Sequence, residues 1–142
     1  MNFNHLNHIG VAVKDIERAK NLLKENFGAK ILHETVSEEQ GFRSALVSLD
    51  GITFELMAPT LEKGIISEFI NQRGEGIHHL SFEVEDFNST ESFFKEKGFK
   101  IIKQPSEVSG INAIFLHPKS FFGILVELFQ KIEESSSITK SS

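Results

Sequence analysis

The chain has 142 residues, 39% hydrophobic and 25% charged, with a net charge of −5 and no cysteine. That suits one soluble domain with a real core, and it excludes disulfides, thiolate metal sites and a broad basic face for nucleic acid. No stretch approaches the roughly 18 apolar residues of a membrane span, and MNFNHLNHIG has no basic segment followed by a long apolar run, so the cytoplasm is the expected location. Fourteen Phe and no Tyr leave no phenol for acid–base chemistry.

His5 to Val13 alternates like a strand, with Ile9, Val11 and Val13 on one face and His8, Gly10 and Ala12 on the other. The histidine therefore shares a face with small residues, which leaves room for something else. Asp15 is an expected N-cap for a helix carrying Ile16, Ala19, Leu22 and Leu23, and Gly28 its stop. Ala29 to Thr35 reads as a strand and Val36 to Gly41 as a polar loop. Arg43 to Leu49 and Ile52 to Ala58 form a hairpin about Asp50-Gly51. In the last of these strands Phe54 and Leu56 point one way, and Thr53, Glu55 and Met57 the other. Residues 60–73 read as an amphipathic linker helix.

The order then repeats. NHIGVAVKD (Asn7 to Asp15) returns, altered, inside GEGIHHLSFEVED (Gly74 to Asp86), with His8 matching His79, Val13 matching Val84 and Asp15 matching Asp86 at an offset of 71. His79, Ser81 and Glu83 share one face of that strand, and His78 lies on the other. Asp86 is placed to cap a helix ending at Gly98. Strands follow at Phe99 to Gln104, Ile111 to His117 and Ile124 to Gln130, with a loop at Pro105 to Gly110. The polar tail 133–142 is expected to be disordered. The expectation is an α+β fold: one domain, 1–132, of two paired βαβββ modules (about 4–59 and 76–130). Their strands form one curved mixed sheet with the helices outside.

Four strands of the repeat each carry a metal-capable residue on the face away from the core: His8, Glu55, His79 and Glu127. The separations are 47 residues for His8 to Glu55 and 48 for His79 to Glu127. Two imidazoles and two carboxylates suit a divalent first-row ion such as Co, Ni, Mn, Zn or Fe, with positions left for substrate or water. A single histidine at a strand end is more often structural, so the weight rests on the matched set. His5, His33 and His117 read as structural, Lys119 as solvated, and His78 as structural or supporting. Glu38 and Glu39 lie in a polar loop, where two acidic residues are usually solvated; a carboxylate carried over a metal site could instead serve as a base, and geometry decides.

LNHIGVAVKDIERA, SEEQG, FELMAPT, RGEGIHHLSFEVED and FLHPKSFFGILVEL, spanning Leu6 to Leu128, resemble the vicinal oxygen chelate superfamily, and within it the methylmalonyl-CoA epimerases. The resemblance implies a metal-holding cup and a homodimer acting on an acyl-CoA. Its implied metal ligands are His8, Glu55, His79 and Glu127, and its implied acid/base residues are Glu39 and Glu127. The implied reaction interconverts (R)- and (S)-methylmalonyl-CoA through C2 proton transfer and a metal-stabilised enolate, using Co, Ni, Mn or Zn. A glyoxalase I-type isomerase, a metal-independent sequestering protein and an iron-dependent dioxygenase are the alternatives. Phe121-Phe122 departs from the family pattern, which has small or polar residues after HPKS.

Overall fold

The computed structural model describes residues 3–103 and 110–132. Gln104, most of the expected loop from Pro105 to Gly110 and the tail 133–142 lie outside the described residues. The elements are β1 (Phe3–Ala12), α1 (Ile16–Phe27), β2 (Lys30–Ser37), β3 (Phe42–Leu49), β4 (Ile52–Pro59), α2 (Ile65–Arg73), β5 (Gly76–Val84), α3 (Phe87–Glu96), β6 (Ile101–Ile102), β7 (Ile111–Leu116), a short 3-10 turn (Pro118–Ser120) and β8 (Leu125–Lys131). Strand, helix and three strands thus occur twice, as the repeat predicts. Among the described residues no helix is long and apolar enough to cross a membrane.

The chain divides into two compact units. One runs from Asn7 to Leu80, and the other takes the described residues up to Leu6 and from Ser81 onward. The division falls inside β1 and β5 rather than at the linker helix.

In the Asn7–Leu80 unit the strand order is β2-β3-β4-β1-β5. β2, β3 and β4 are antiparallel neighbours, while β1 and β4 run parallel with Gly10 opposite Glu55. Asp50 and Gly51 take positive φ values of 51° and 82°, the backbone a two-residue hairpin of this twist requires. Asp15 caps α1 through its carboxylate, which accepts from Arg18 N at 3.1 Å, and Gly28 closes it in the left-handed conformation. Val13, Ile16, Ala45, Val47 and Leu56 form the core under α1. Ala12, Met57 and Ile66 form a second cluster on the opposite face, against α2. The face away from the main core is therefore also closed, along part of its length, by α2.

The linker helix is shorter than the expected 60–73. Residues 60–64 are tied elsewhere: Thr60 N–H donates to Gly41 O at 2.8 Å, Ser67 Oγ donates to Leu61 O, and a side chain at Gly64 would meet Gln40 O at 3.0 Å. A segment held against the β2–β3 turn cannot also wind into the first turn of a helix.

In the other unit, β5 is followed by β8, β7 and β6, and β6–β7 and β7–β8 are antiparallel. Asp86 caps α3 as Asp15 caps α1, accepting from Ser89 N at 3.2 Å. Val84, Phe94, Ile114, Leu116, Val126 and Leu128 make its core. β6 keeps only two residues of the strand expected from Phe99.

Candidate metal centre and its surroundings

Three of the four sequence-selected ligands converge within the Asn7–Leu80 unit. His8 Nε2 and His79 Nε2 are 3.0 Å apart, His8 Nε2 and Glu55 Oε1 3.3 Å, and His79 Nε2 and Glu55 Oε1 3.5 Å. Strand parity delivers them: His8 and Gly10 share a face of β1, Glu55 lies opposite Gly10 on β4, and His79 comes across from β5. His79 is 7% exposed, and the other two are half-buried.

Gly10 explains how a buried imidazole reaches this point. A Cβ at residue 10 would lie 2.2 Å from His79 Cε1 and 2.3 Å from its Nδ1. The room left by the small residues of β1 is the room the His79 ring occupies.

The donor set fits a divalent cation. Ligand atoms about 2.1 Å from an ion and at right angles to one another stand about 3.0 Å apart, and tetrahedral ones about 3.4 Å. The three edges measured here fall close to that span. His8, Glu55 and His79 are also the group among the described residues whose ligand atoms can share one ion.

The electrostatics agree with a site that wants positive charge. Burial pushes the Glu55 carboxyl up, but hydrogen bonds from His79 and His8, and their charge, outweigh it and hold the group well below the usual carboxylate range. Burial and then the His79 charge push His78 down to about 4, so His78 is neutral near pH 7. Its ring packs edge-on to Phe69 at 5.0 Å.

The remaining candidates are placed as follows. Glu39 is exposed on the four-residue turn between β2 and β3, and Glu38 beside it is also exposed. That turn is closed rather than loose: Gly41 N–H donates to Ser37 O at 2.9 Å and Gln40 N–H to Ser37 Oγ at 3.3 Å. Glu39 is not one of the side chains gathered at the His8–Glu55–His79 cluster. Glu127 belongs to the other unit, where its Oε1 accepts from Ser81 Oγ at 2.8 Å. His117 Nδ1 accepts from Lys119 N at 3.0 Å, a structural role in the 3-10 turn, and His5 sits 3.6 Å from Glu83 at the surface.

Sequence reasoning missed Ser81 and Asn7, and it had His78 as structural or supporting. Ser81 is fully buried, yet a serine in an alternating strand carries no signal of its carboxylate partner. Asn7 Oδ1 lies 2.7 Å from His8 Nδ1, and His78 Nδ1 lies 2.9 Å from His79 Nδ1. The repeat itself pairs Asn7 with His78, and that was the available clue. A separate apolar cavity of about 560 Å³, lined by Val11, Leu22, Leu23, Phe54 and Leu56, opens under α1 on the other face of β1 and β4 from the cluster.

The sequence model of the Glyoxalase/Bleomycin resistance protein/Dioxygenase superfamily matches residues 7–115, and the chain is a member of that superfamily. The mitochondrial methylmalonyl-CoA epimerase of Bos taurus is 33% identical over 132 residues, covering 91% of this chain and 75% of that protein. The ethylmalonyl-CoA/methylmalonyl-CoA epimerase of Cereibacter sphaeroides is 33% identical over 129 residues, covering 88% of this chain and 96% of that one. A crystallised variant of Streptomyces coelicolor methylmalonyl-CoA epimerase in complex with 2-nitronate-propionyl-CoA superposes with a TM-score of 0.79 at 28% identity, covering 93% of this chain and 100% of that one. Within the superfamily, this chain belongs to the methylmalonyl-CoA epimerase family.

Proposed function

We propose that this chain interconverts the (R) and (S) forms of methylmalonyl-CoA by removing and returning the proton at C2. The observation that carries the reading is the convergence of His8, Glu55 and His79 on one point, in a chain whose relatives bear that name. C2 of the substrate lies between a thioester and a carboxylate, so loss of its proton places negative charge on the thioester oxygen. Positive charge at that oxygen would lower the barrier. A divalent ion held by His8, Glu55 and His79 would supply that Lewis-acid stabilisation when bound.

The chain's own residues carry the proton. Inversion requires removal from one face and delivery to the other, so two acid/base groups on opposite faces suffice. Glu39 is one and Glu127 the other: one carboxylate takes the C2 proton, and the other, protonated, returns one to the opposite face. With no cysteine or tyrosine in the chain, carboxylates are the natural carriers. Ser81 Oγ on Glu127 Oε1 would orient that carboxylate and leave Oε2 for chemistry. The closed turn under Glu39 would hold its backbone while the exposed side chain meets substrate.

In this reading the ion is Co, Ni, Mn or Zn, and the working form is a cytoplasmic homodimer, which sedimentation would test directly. The central test is exchange of the C2 proton of methylmalonyl-CoA with deuterium from solvent, followed by NMR. Absence of exchange with every one of these ions would refute the reading. Glu39→Gln should keep metal affinity and lose exchange by about 100-fold or more, the usual scale of a lost acid/base group. Undiminished exchange in that variant would remove Glu39 from the reaction.

A further inference from the structure

We infer that Asn7 and His78, each one residue before a metal-capable histidine, are positioning residues that hold a hydrogen on Nδ1 of His8 and of His79 and so turn both Nε2 lone pairs toward the same point. The inference rests on the reading that His8, Glu55 and His79 hold a divalent cation.

The geometry is the same in both copies of the repeat. Asn7 Oδ1 lies 2.7 Å from His8 Nδ1, and His78 Nδ1 lies 2.9 Å from His79 Nδ1. The acceptor atoms correspond: Oδ1 of asparagine and Nδ1 of histidine are each two bonds from Cβ. An amide oxygen can only accept, so His8 Nδ1 is the donor of its pair. A neutral imidazole protonated on Nδ1 has its lone pair on Nε2. For His79 the same result follows when His78 carries its own hydrogen on Nε2 and accepts at Nδ1. With an ion in place of the hydrogens that Glu55 accepts in the metal-free chain, His8 Nε2, His79 Nε2 and Glu55 Oε1 face one another at 3.0 to 3.5 Å as three ligand atoms. A cation is what such a triangle holds.

The opposite tautomers are disfavoured by the same contacts. A His8 ring with its only hydrogen on Nε2 would leave its Nδ1 lone pair against the Asn7 oxygen at 2.7 Å. Partners of this kind on metal-bound histidines set the tautomer and the ring orientation, and their loss typically costs about 10–100-fold in metal affinity. His78 also has an independent packing role against Phe69, so the test has to separate packing from hydrogen bonding. His78→Phe keeps an aromatic ring for Phe69 and removes the acceptor. His78→Asn removes the ring and restores an acceptor of the kind Asn7 already provides.

The full chain, metal-free, is titrated with cobalt(II) and followed by calorimetry and by its visible d–d absorption, with thermal melts of the metal-free proteins alongside. His78→Phe is expected to bind cobalt(II) about 10–100-fold more weakly with an unchanged metal-free melt, and His78→Asn to recover affinity to within about threefold. Asn7→Leu is expected to weaken binding on the same scale, and it keeps the inference testable if the Phe variant does not fold. Nitrogen-15 NMR of the metal-free wild type should find His8 and His79 both protonated on Nδ1. Wild-type affinity in His78→Phe and Asn7→Leu, no rescue by Asn, or a ring without a hydrogen on Nδ1 would overturn the inference while leaving the metal site standing. A wild-type chain that takes up no cobalt(II) would overturn the metal site, and the inference with it.

Discussion

Gly10→Ala is the sharpest test of how the centre is built. A Cβ at this position would stand 2.2 Å from Cε1, 2.3 Å from Nδ1 and 2.8 Å from Nε2 of His79. Relaxed carbon contacts need about 3.5 Å, so the ring has to retreat by more than about 1 Å. A metal bond tolerates only about 0.2 Å, so His79 would leave the ligand set. The expected loss of cobalt(II) affinity is about 100-fold or more, or about 2.8 kcal/mol at 1.4 kcal/mol per decade. The metal-free fold should suffer less. Crowding of the ring costs about 1–3 kcal/mol, while replacing glycine by alanine in a strand with ordinary backbone angles returns about 0.5–1 kcal/mol. Calorimetric titration reads the first quantity and denaturant unfolding of the metal-free protein the second. A Gly10→Ala chain that binds cobalt(II) within threefold of wild type would show that the His79 ring does not need the space over Gly10, and the argument from the small face of β1 would fail.

Three further outcomes follow from single contacts. Ser81→Ala removes the hydroxyl that Glu127 Oε1 accepts from and should cost about 1–3 kcal/mol in denaturant unfolding; an unchanged midpoint would mean that solvent replaces the bond. Phe122 is 91% exposed at a positive φ of 55°, touching Phe121 edge-on. Relief of the left-handed backbone and the entropy cost of glycine are each about 1 kcal/mol, so Phe122→Gly should move stability by less than about 1 kcal/mol. A loss on the scale of about 3 kcal/mol seen for buried Phe would show that the ring is packed. Glu34 and then Glu17 hold the Lys20 ammonium above its ordinary value. Its stabilisation is therefore fully present below pH 10.5 and fades as pH rises through the higher folded value. Both carboxylates are half-exposed, so Lys20→Met should cost only about 0.2–1 kcal/mol at neutral pH. The melting difference should close at strongly alkaline pH, and a difference that persisted there would assign the effect to packing.

What was legible in the sequence was what local chemistry or periodicity controls. Asp15 and Asp86 announce helix starts because a carboxylate there satisfies orphan amides, and both are seen to do so. Asp50-Gly51 announces a hairpin because few other pairs accept two positive φ values. Parity along β1, β4 and β5 placed His8, Glu55 and His79 on compatible faces, and the structure brings them together. The start of α2 was illegible because Thr60 and Gly64 answer to the distant turn at Gln40 and Gly41. Contacts of that range leave no mark in a helical period. The role of Gly10 was half legible: parity gave a small face, but only the neighbouring strand says what fills it.

The repeat is most informative where its copies differ. NHIG and HHLS occupy equivalent positions, with Asn7 against His78, His8 against His79, and Gly10 against Ser81. The first position changes residue but keeps an acceptor at the same distance from the backbone, which is what an imidazole Nδ1–H needs. The second does not change: in both copies it is the histidine whose Nε2 faces Glu55 Oε1. The fourth position diverges in chemistry as well as size. At residue 10 any side chain would collide with His79, so only glycine fits. At residue 81 a buried hydroxyl is retained, and it donates to Glu127. Each polar position holds a partner of the right donor or acceptor type. Gly10 thus makes room for one histidine, and Ser81 holds one carboxylate.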